Sequence, residues 1–299
     1  MTLAVVSKPE VFAPVVEEVP LPPLGPADLR VRVTAASVDP IDVFFTAGPQ
    51  AREIFGFTGT VGLGLSLTGV VTATGAAVTG FSVGDAIAAL HGDFTAPVRA
   101  PARETVVPSA TAALLPASID PVAAASLPLN GSTAARLVHR LGPAEGRTVL
   151  VTGAAGGVGG YAVALAAHAG WTVTALARAS DRDFVLRAGA HELVTALPAR
   201  SFDAVLDGAV LHAAALGAIR DGGVFVGVAS AAPAEAERGI QTHILSVEPD
   251  GAQLAELLAL AAGGVLELRV AGQVPLVHAP IAYDKVAGGG QRGRWLLVP

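Results

Sequence analysis

The sequence predicts an α/β protein, a doubly wound parallel sheet joined to a second, β-rich domain. Three observations predict it. Midway along the 299 residues, Val149-Leu-Val-Thr152 runs into Gly153-Ala-Ala-Gly156-Gly157-Val158-Gly159-Gly160, a buried strand turned by glycines into the helical pattern Tyr161 to His168. Downstream, apolar strand runs alternate with helical ones, the pattern of a parallel sheet. Upstream of Asp120 the chain is a series of short strands set off by glycine and proline turns.

Leu3 to Val6, Val15 to Val19 and Leu29 to Val38 read as strands, separated by the turns at Pro20 to Pro23 and Gly25-Pro26. Leu67 to Thr74, Asp85 to Leu90 and Glu104 to Val107 continue the β pattern, with little helix in this half. From Pro121 to Leu127 and Ser132 to Leu141 the pattern turns helical. Strands then fall at Thr148, Trp171 to Ala177, Glu192, Asp203 and Val224, with helices beginning at Gly156, Asp181 and Leu211. A strand near Ile240 to Val247 and a helix from Gly251 to Ala262 follow. The tail, Val274 to Val277, Pro280 to Ala287 and Trp295 to Val298, is a strand, helix and strand that the parallel sheet does not need. It is assigned back to the first domain, giving 1–118 with 263–299 as one domain and 119–262 as the nucleotide-binding one.

The central motif carries chemistry as well as fold. A helix whose opening turn must approach a diphosphate needs glycine, because a Cβ would block the approach, while its unpaired N–H groups and dipole favour negative charge. Ala155, Gly156, Gly157, Val158 and Gly159 are the expected cradle, with Gly156 and Gly159 the most demanding positions. About 20 residues on, an acid would bind the ribose 2′-hydroxyl of NAD, and an arginine would accept the 2′-phosphate of NADP. Arg178 stands there, with Ser180 and Arg182 behind it and no acid before Asp181. The expected cofactor is therefore NADP, as NADPH.

Composition narrows the partners. Only 15% of residues are charged, which suits a sheet covered on both faces, and a net charge of -6 without a basic run gives no reason to expect a nucleic-acid partner. A small-molecule substrate is expected. The chain has no cysteine, so neither a disulfide framework nor a thiolate metal site can form. MTLAVVSKPE lacks the pattern of a signal peptide, and a cytoplasmic location is expected. The uncharged span Thr148 to Ala177 is broken by six glycines and contains His168, so it reads as strand, helix and strand instead of a membrane crossing.

Several segments point the same way. Ala35-Ala-Ser-Val-Asp39-Pro40-Ile-Asp42, Gly69-Val-Val, Gly80-Phe-Ser-Val-Gly84-Asp85, Ala123 to Ala134, the Gly153 to Gly159 loop and Gly293-Arg294-Trp-Leu-Leu stand in this order along the chain. Together they resemble the medium-chain dehydrogenase/reductase superfamily, specifically its zinc-independent quinone oxidoreductase branch. The resemblance implies a Rossmann domain for the nucleotide and a GroES-like substrate domain around it. Short-chain dehydrogenases share the glycine pattern, but they carry it at the N-terminus and need a Tyr and Lys four apart. Here the motif is central, and Lys285 follows Tyr283 by two.

The resemblance also implies site residues. Asp39, Phe44 and Thr133 are expected at the catalytic position, with Thr133, Gly227, Val228 and Arg294 also toward the cofactor. Relatives usually have Asn where Asp39 stands and often Tyr where Phe44 stands. Asp39 either meets the carboxamide or acts as an acid if burial raises its pKa, or it caps the Pro40 turn. Phe44 cannot donate a hydrogen bond, so orientation falls to Thr133 or to backbone N–H groups. Zinc members use a Cys and a Gly-His-Glu segment, where this chain reads Gly62-Leu-Gly64-Leu-Ser66. The seven histidines are scattered, and His91 and His139 read as surface or structural residues. With no metal expected, the reaction implied is hydride transfer to a quinone or α,β-unsaturated carbonyl. Two alternatives stand beside it: a non-catalytic NADPH-binding sensor or structural protein, and an enoyl-thioester or tailoring reductase. A homodimer is expected through the sheet edge at Ile240 to Val247.

Overall fold

Alternating burial along Asp28–Val38 makes one face of that strand a core face, and Ser66–Thr74, Glu104–Pro108 and Arg294–Val298 all pair with it. The structure is a computed structural model that describes residues 1–228 and 237–299. In chain order the first strands are β1 (Thr2–Lys8), β2 (Val11–Val19) and β3 (Asp28–Val38), followed by helices α1 (Pro40–Phe44) and α2 (Gln50–Phe55). Then come β4 (Val61–Gly62), β5 (Ser66–Thr74), β6 (Ala86–Leu90), β7 (Glu104–Pro108) and β8 (Ala112–Leu114). The sequence did not suggest α1, α2, β4 or β8. They are two to six residues long, too short to leave a period. Asp39, extended at the N-cap, and Pro40 at the first helical position start α1.

Helices α3 (Pro121–Ala124) and α4 (Pro128–Arg140) lead to β9 (Thr148–Thr152), α5 (Gly157–His168), β10 (Thr172–Leu176), α6 (Arg182–Arg187) and β11 (Glu192–Val194). After these come β12 (Phe202–Asp207), α7 (Ala213–Leu216), β13 (Ile219–Val228) and β14 (Gln241–Leu245). The chain closes with α8 (Gly251–Ala262), β15 (Val270–Pro275), α9 (Ala279–Ala287) and β16 (Arg294–Val298).

Contacts divide the chain into two units. One holds Met1–Leu129, Glu248–Ala262 and Leu268–Pro299; the other holds Asn130–Val247 and Gly263–Glu267. The first contains a three-stranded sheet, β2-β1-β4, and a seven-stranded one, β15-β16-β3-β5-β6-β8 with β7 also on β3. The tail strands thus lie in the sheet of the β-rich unit. Helix α8, which the sequence had placed with the nucleotide-binding domain, belongs to that unit as well. Its Leu254, Leu257 and Leu258 are buried, and its first residue abuts β8 so closely that a Cβ on Gly251 would lie 2.4 Å from the Ala112 carbonyl oxygen.

The second unit holds a six-stranded sheet in the order β11-β10-β9-β12-β13-β14, and every pairing is parallel. Numbered within the unit that is 3-2-1-4-5-6, the doubly wound order with its reversal between β9 and β12. Helix α5 buries nine of its twelve residues, which accounts for its having no polar face. No described helix is long and apolar enough to cross a membrane.

Candidate active site

At the reversal between β9 and β12, Gly153 leaves β9 in the left-handed region (φ +59°), and the Gly156 N–H donates back to its carbonyl at 2.8 Å. Only glycine takes that conformation without cost. Gly156 then caps α5, so no side chain covers the opening N–H groups. Gly159 sits directly on the turn: a Cβ there would lie 2.2 Å from the Gly153 carbonyl oxygen and 2.7 Å from its carbon. Gly157, Gly159 and Ala155 are buried, and Gly156 and Val158 are half-buried.

A second loop, after β12, is tied to this one by bonds that the sequence did not reveal. The Thr152 hydroxyl donates to Asp207 at 2.6 Å and accepts the Ala209 N–H at 3.0 Å, while the other Asp207 oxygen accepts the His212 N–H at 2.8 Å. Val210 and His212 both have positive φ, 59° and 51°, without being glycine. Such strain persists only where neighbours hold it, and it concentrates at functional loops.

Arg178 lies just past the tip of β10 and is 58% exposed. Its Nε donates to Asp181 at 2.9 Å and its Nη2 at 3.4 Å, and Asp181 is only 1% exposed. A buried carboxylate therefore aims an exposed guanidinium, with the exposed Ser180 and Arg182 beside it. At the other end of the sheet Gly227 and Val228 finish β13 opposite Ile244 and Leu245. Thr133 is half-buried on α4.

In the first unit the structure brings Asp39 and Arg294 together. Antiparallel pairing of β16 with β3 sets Trp295 opposite Val38, so the residues next to them meet. Asp39 is 1% exposed; one oxygen accepts Arg294 Nε at 2.5 Å and the other the Ser37 hydroxyl at 2.6 Å. Phe44 is half-buried at the end of α1, its ring 6.4 Å from that of Phe45.

Asp42, the last residue of the Asp39-Pro40-Ile-Asp42 segment, is fully buried and accepts the N–H groups of Asp39 and Gly64, both at 2.9 Å. Burial, and next the Asp39 charge, push its pKa up to about 7 against the pull of Arg99. An acid whose pKa is raised on folding stabilises the fold fully below its unfolded value and loses that contribution as pH rises through the folded one. The window here runs from about pH 4 to about pH 7. An asparagine at this position would lack one acceptor, costing about 1–3 kcal/mol at low pH, but would carry no charge penalty above the window. The expected result is that Asp42→Asn loses stability relative to wild type at about pH 4 and closes or reverses the gap by about pH 8, read by denaturant unfolding. A gap that does not change with pH would overturn the assignment.

Comparison with known proteins supports the two-part reading. Residues 25–109 match the family described as alcohol dehydrogenase GroES-like domain, and residues 178–297 one described as zinc-binding dehydrogenase. Erythronolide synthase EryA2 of Saccharopolyspora erythraea is 36% identical over 168 residues, 55% of this chain and 4% of that protein. The 2-haloacrylate reductase of a Burkholderia species is 30% identical over 182 residues, 60% of this chain and 53% of its own. The chain thus spans about half the length of that reductase and a small part of the synthase. The quinone oxidoreductase structure from Coxiella burnetii covers 100% of this chain and 99% of its own at a TM-score of 0.87 and 23% identity, a likeness of fold.

Zinc does not fit these residues. The chain has no cysteine, and among the described residues no three His, Asp or Glu side chains come together to hold a metal. A dinucleotide does fit the second unit: a bare helix start, a turn that excludes Cβ atoms, and a cation at the tip of the next strand.

Proposed function

Because the chain belongs to the medium-chain dehydrogenase/reductase superfamily, we propose that it is an NADPH-dependent, zinc-free oxidoreductase that reduces a quinone or an α,β-unsaturated carbonyl. The observation that carries this reading is the glycine turn into α5 at the reversal between β9 and β12, with Arg178 beyond the tip of β10. Bound there, NADPH supplies a hydride. The opening N–H groups of α5, at Gly157, Val158 and Gly159, hold the diphosphate. Arg178, aimed by Asp181, takes the 2′-phosphate together with Ser180 and Arg182. Thr133, Gly227 and Val228 are assigned to the nicotinamide half, and within the first unit Asp39 holds Arg294.

The residues present also limit the acceptor. With no Lewis acid to polarise an isolated carbonyl, the acceptor must already be electron-poor. A quinone or conjugated alkene accepts at carbon and moves charge to oxygen, where the Thr133 hydroxyl or a backbone N–H stabilises it and solvent protonates it. The relationship to a reductase named for 2-haloacrylate, an alkene conjugated to a carboxylate, supports this class. The likeness to erythronolide synthase favours a second reading, a tailoring reductase of polyketide assembly. In either case β14, an edge strand with β13 on one side, is proposed to pair with its copy in a homodimer.

Steady-state NADPH oxidation tests the proposal, with benzoquinones, enones and enoyl thioesters offered as acceptors. Turnover with quinones or enones is the expected result. Preference for the thioesters would select the tailoring reading, and tight NADPH binding with no turnover would leave a sensor.

A further inference from the structure

We propose that Asp207 is a positioning residue for the dinucleotide: with Thr152 it clamps residues 208–212 against the glycine turn and so sets the width of the crevice that the cofactor enters. The inference rests on the nucleotide site proposed above and adds a second wall to it. In a doubly wound sheet a dinucleotide lies outside the carboxyl ends of the strands, where their order reverses. Here that place is between β9 and β12, so the turn after β9 and the loop after β12 are its two sides.

The two sides are fastened at one point. Parallel pairing sets Asp207 beside Thr152, at the ends of β12 and β9. One Asp207 oxygen accepts the Thr152 hydroxyl at 2.6 Å, and that hydroxyl accepts the Ala209 N–H at 3.0 Å. The other Asp207 oxygen accepts the His212 N–H at 2.8 Å, so the loop is held near both of its ends. The backbones also touch. A Cβ on Gly208 would stand 3.0 Å from the Thr152 carbonyl oxygen and 3.7 Å from the Gly159 Cα, and one on Gly153 would stand 3.2 Å from the Ala209 nitrogen.

This arrangement works against stability. Asp207 is 1% exposed, and both of these bonds come from neutral donors, a costly way to bury a carboxylate. The loop itself is strained: Val210 at φ +59° and His212 at φ +51°, ψ −120° occupy regions that favour glycine. Val210 is β-branched, for which a positive φ is a true outlier, and its side chain is 45% exposed, so core packing does not hold it there. Strain of this kind persists where neighbours over-determine it, and the bonds from Asp207 and Thr152 do so. A loop fixed in advance removes an ordering cost that binding would otherwise carry.

Thr152→Val keeps the volume and removes the hydroxyl, leaving the Ala209 N–H and one Asp207 oxygen without this partner. Hydrogen–deuterium exchange of the full chain should then speed up at residues 208–212 and not across the sheet. Fluorescence titration should show NADPH and NADH both weakened about tenfold, the worth of one hydrogen bond, because the crevice serves the part that the two nucleotides share. Thr152→Ser keeps the hydroxyl and should bind both within about twofold of wild type. Asp207→Asn keeps an acceptor for the His212 N–H alone; it should resemble Thr152→Val and decides the matter if that variant does not fold. A merely structural clamp would lower Tm and leave both affinities unchanged. That result, a loop that stays protected in Thr152→Val, or a serine variant as weak as the valine one would each overturn this inference alone. A wild-type chain that binds neither nucleotide would overturn the cofactor reading and this one with it.

Discussion

Gly159→Ala is expected to lose tight NADPH binding and to destabilise the nucleotide-binding unit. The added Cβ would lie 2.2 Å from the Gly153 carbonyl oxygen, and that atom is backbone, not the movable end of a side chain. Gly153 is itself pinned, because its left-handed turn is closed by the Gly156 N–H and its own Cβ position is 3.2 Å from Ala209. Either the turn or the helix start must therefore move, at an overpacking cost of about 1–3 kcal/mol. Both are the parts proposed to grip the diphosphate, and losing one or two charge-assisted bonds there weakens binding on the order of a hundredfold. Fluorescence titration with NADPH and denaturant unfolding read the two effects. Gly156→Ala is the comparison for the unfolding arm alone, since its nearest neighbour would be 3.1 Å away and it should cost less stability, while its NADPH binding should also fall because a Cβ there stands before the helix start. A Gly159→Ala protein that binds NADPH like wild type would remove the turn from the cofactor site.

What could be seen in the sequence was what backbone and periodicity dictate. The glycine turn is visible because close approach admits only one residue type, and the six parallel strands because buried runs alternate with helices. Packing partners were not visible. The leucine stripe of α8 says that one face is buried but not against what, and the answer is β8 and β6. Asp181 was seen as the first acid after the strand, and its three-residue spacing from Arg178 permits a pair, yet only the structure shows the two joined. Asp39 was weighed as an acid or a cap, and its ion pair with Arg294 comes from strands at opposite ends of the chain.

Arg178→Ala should reduce NADPH affinity about 10- to 100-fold, the worth of one or two hydrogen bonds to a charged group, while leaving NADH affinity within about twofold. The contrast rests on geometry. Asp181 engages Nε and Nη2, which fixes the plane of a guanidinium that is 58% exposed. A carboxylate so close also offsets part of the positive charge, so the site should discriminate by direction more than by field. Two consequences separate that account from a simple charge effect. Arg178→Lys keeps the charge but not the fork and should fall nearer to Ala than to wild type. Because the group is exposed, the NADPH preference should shrink as salt is raised. Titration of each variant with both nucleotides at low and high salt gives the readout. Loss of both nucleotides in equal measure would mean that Arg178 serves Asp181 and the fold, since its removal also takes a cation away from a buried carboxylate. A wild-type protein that prefers NADH would remove the arginine from cofactor choice and leave the glycine turn as the sole determinant of binding.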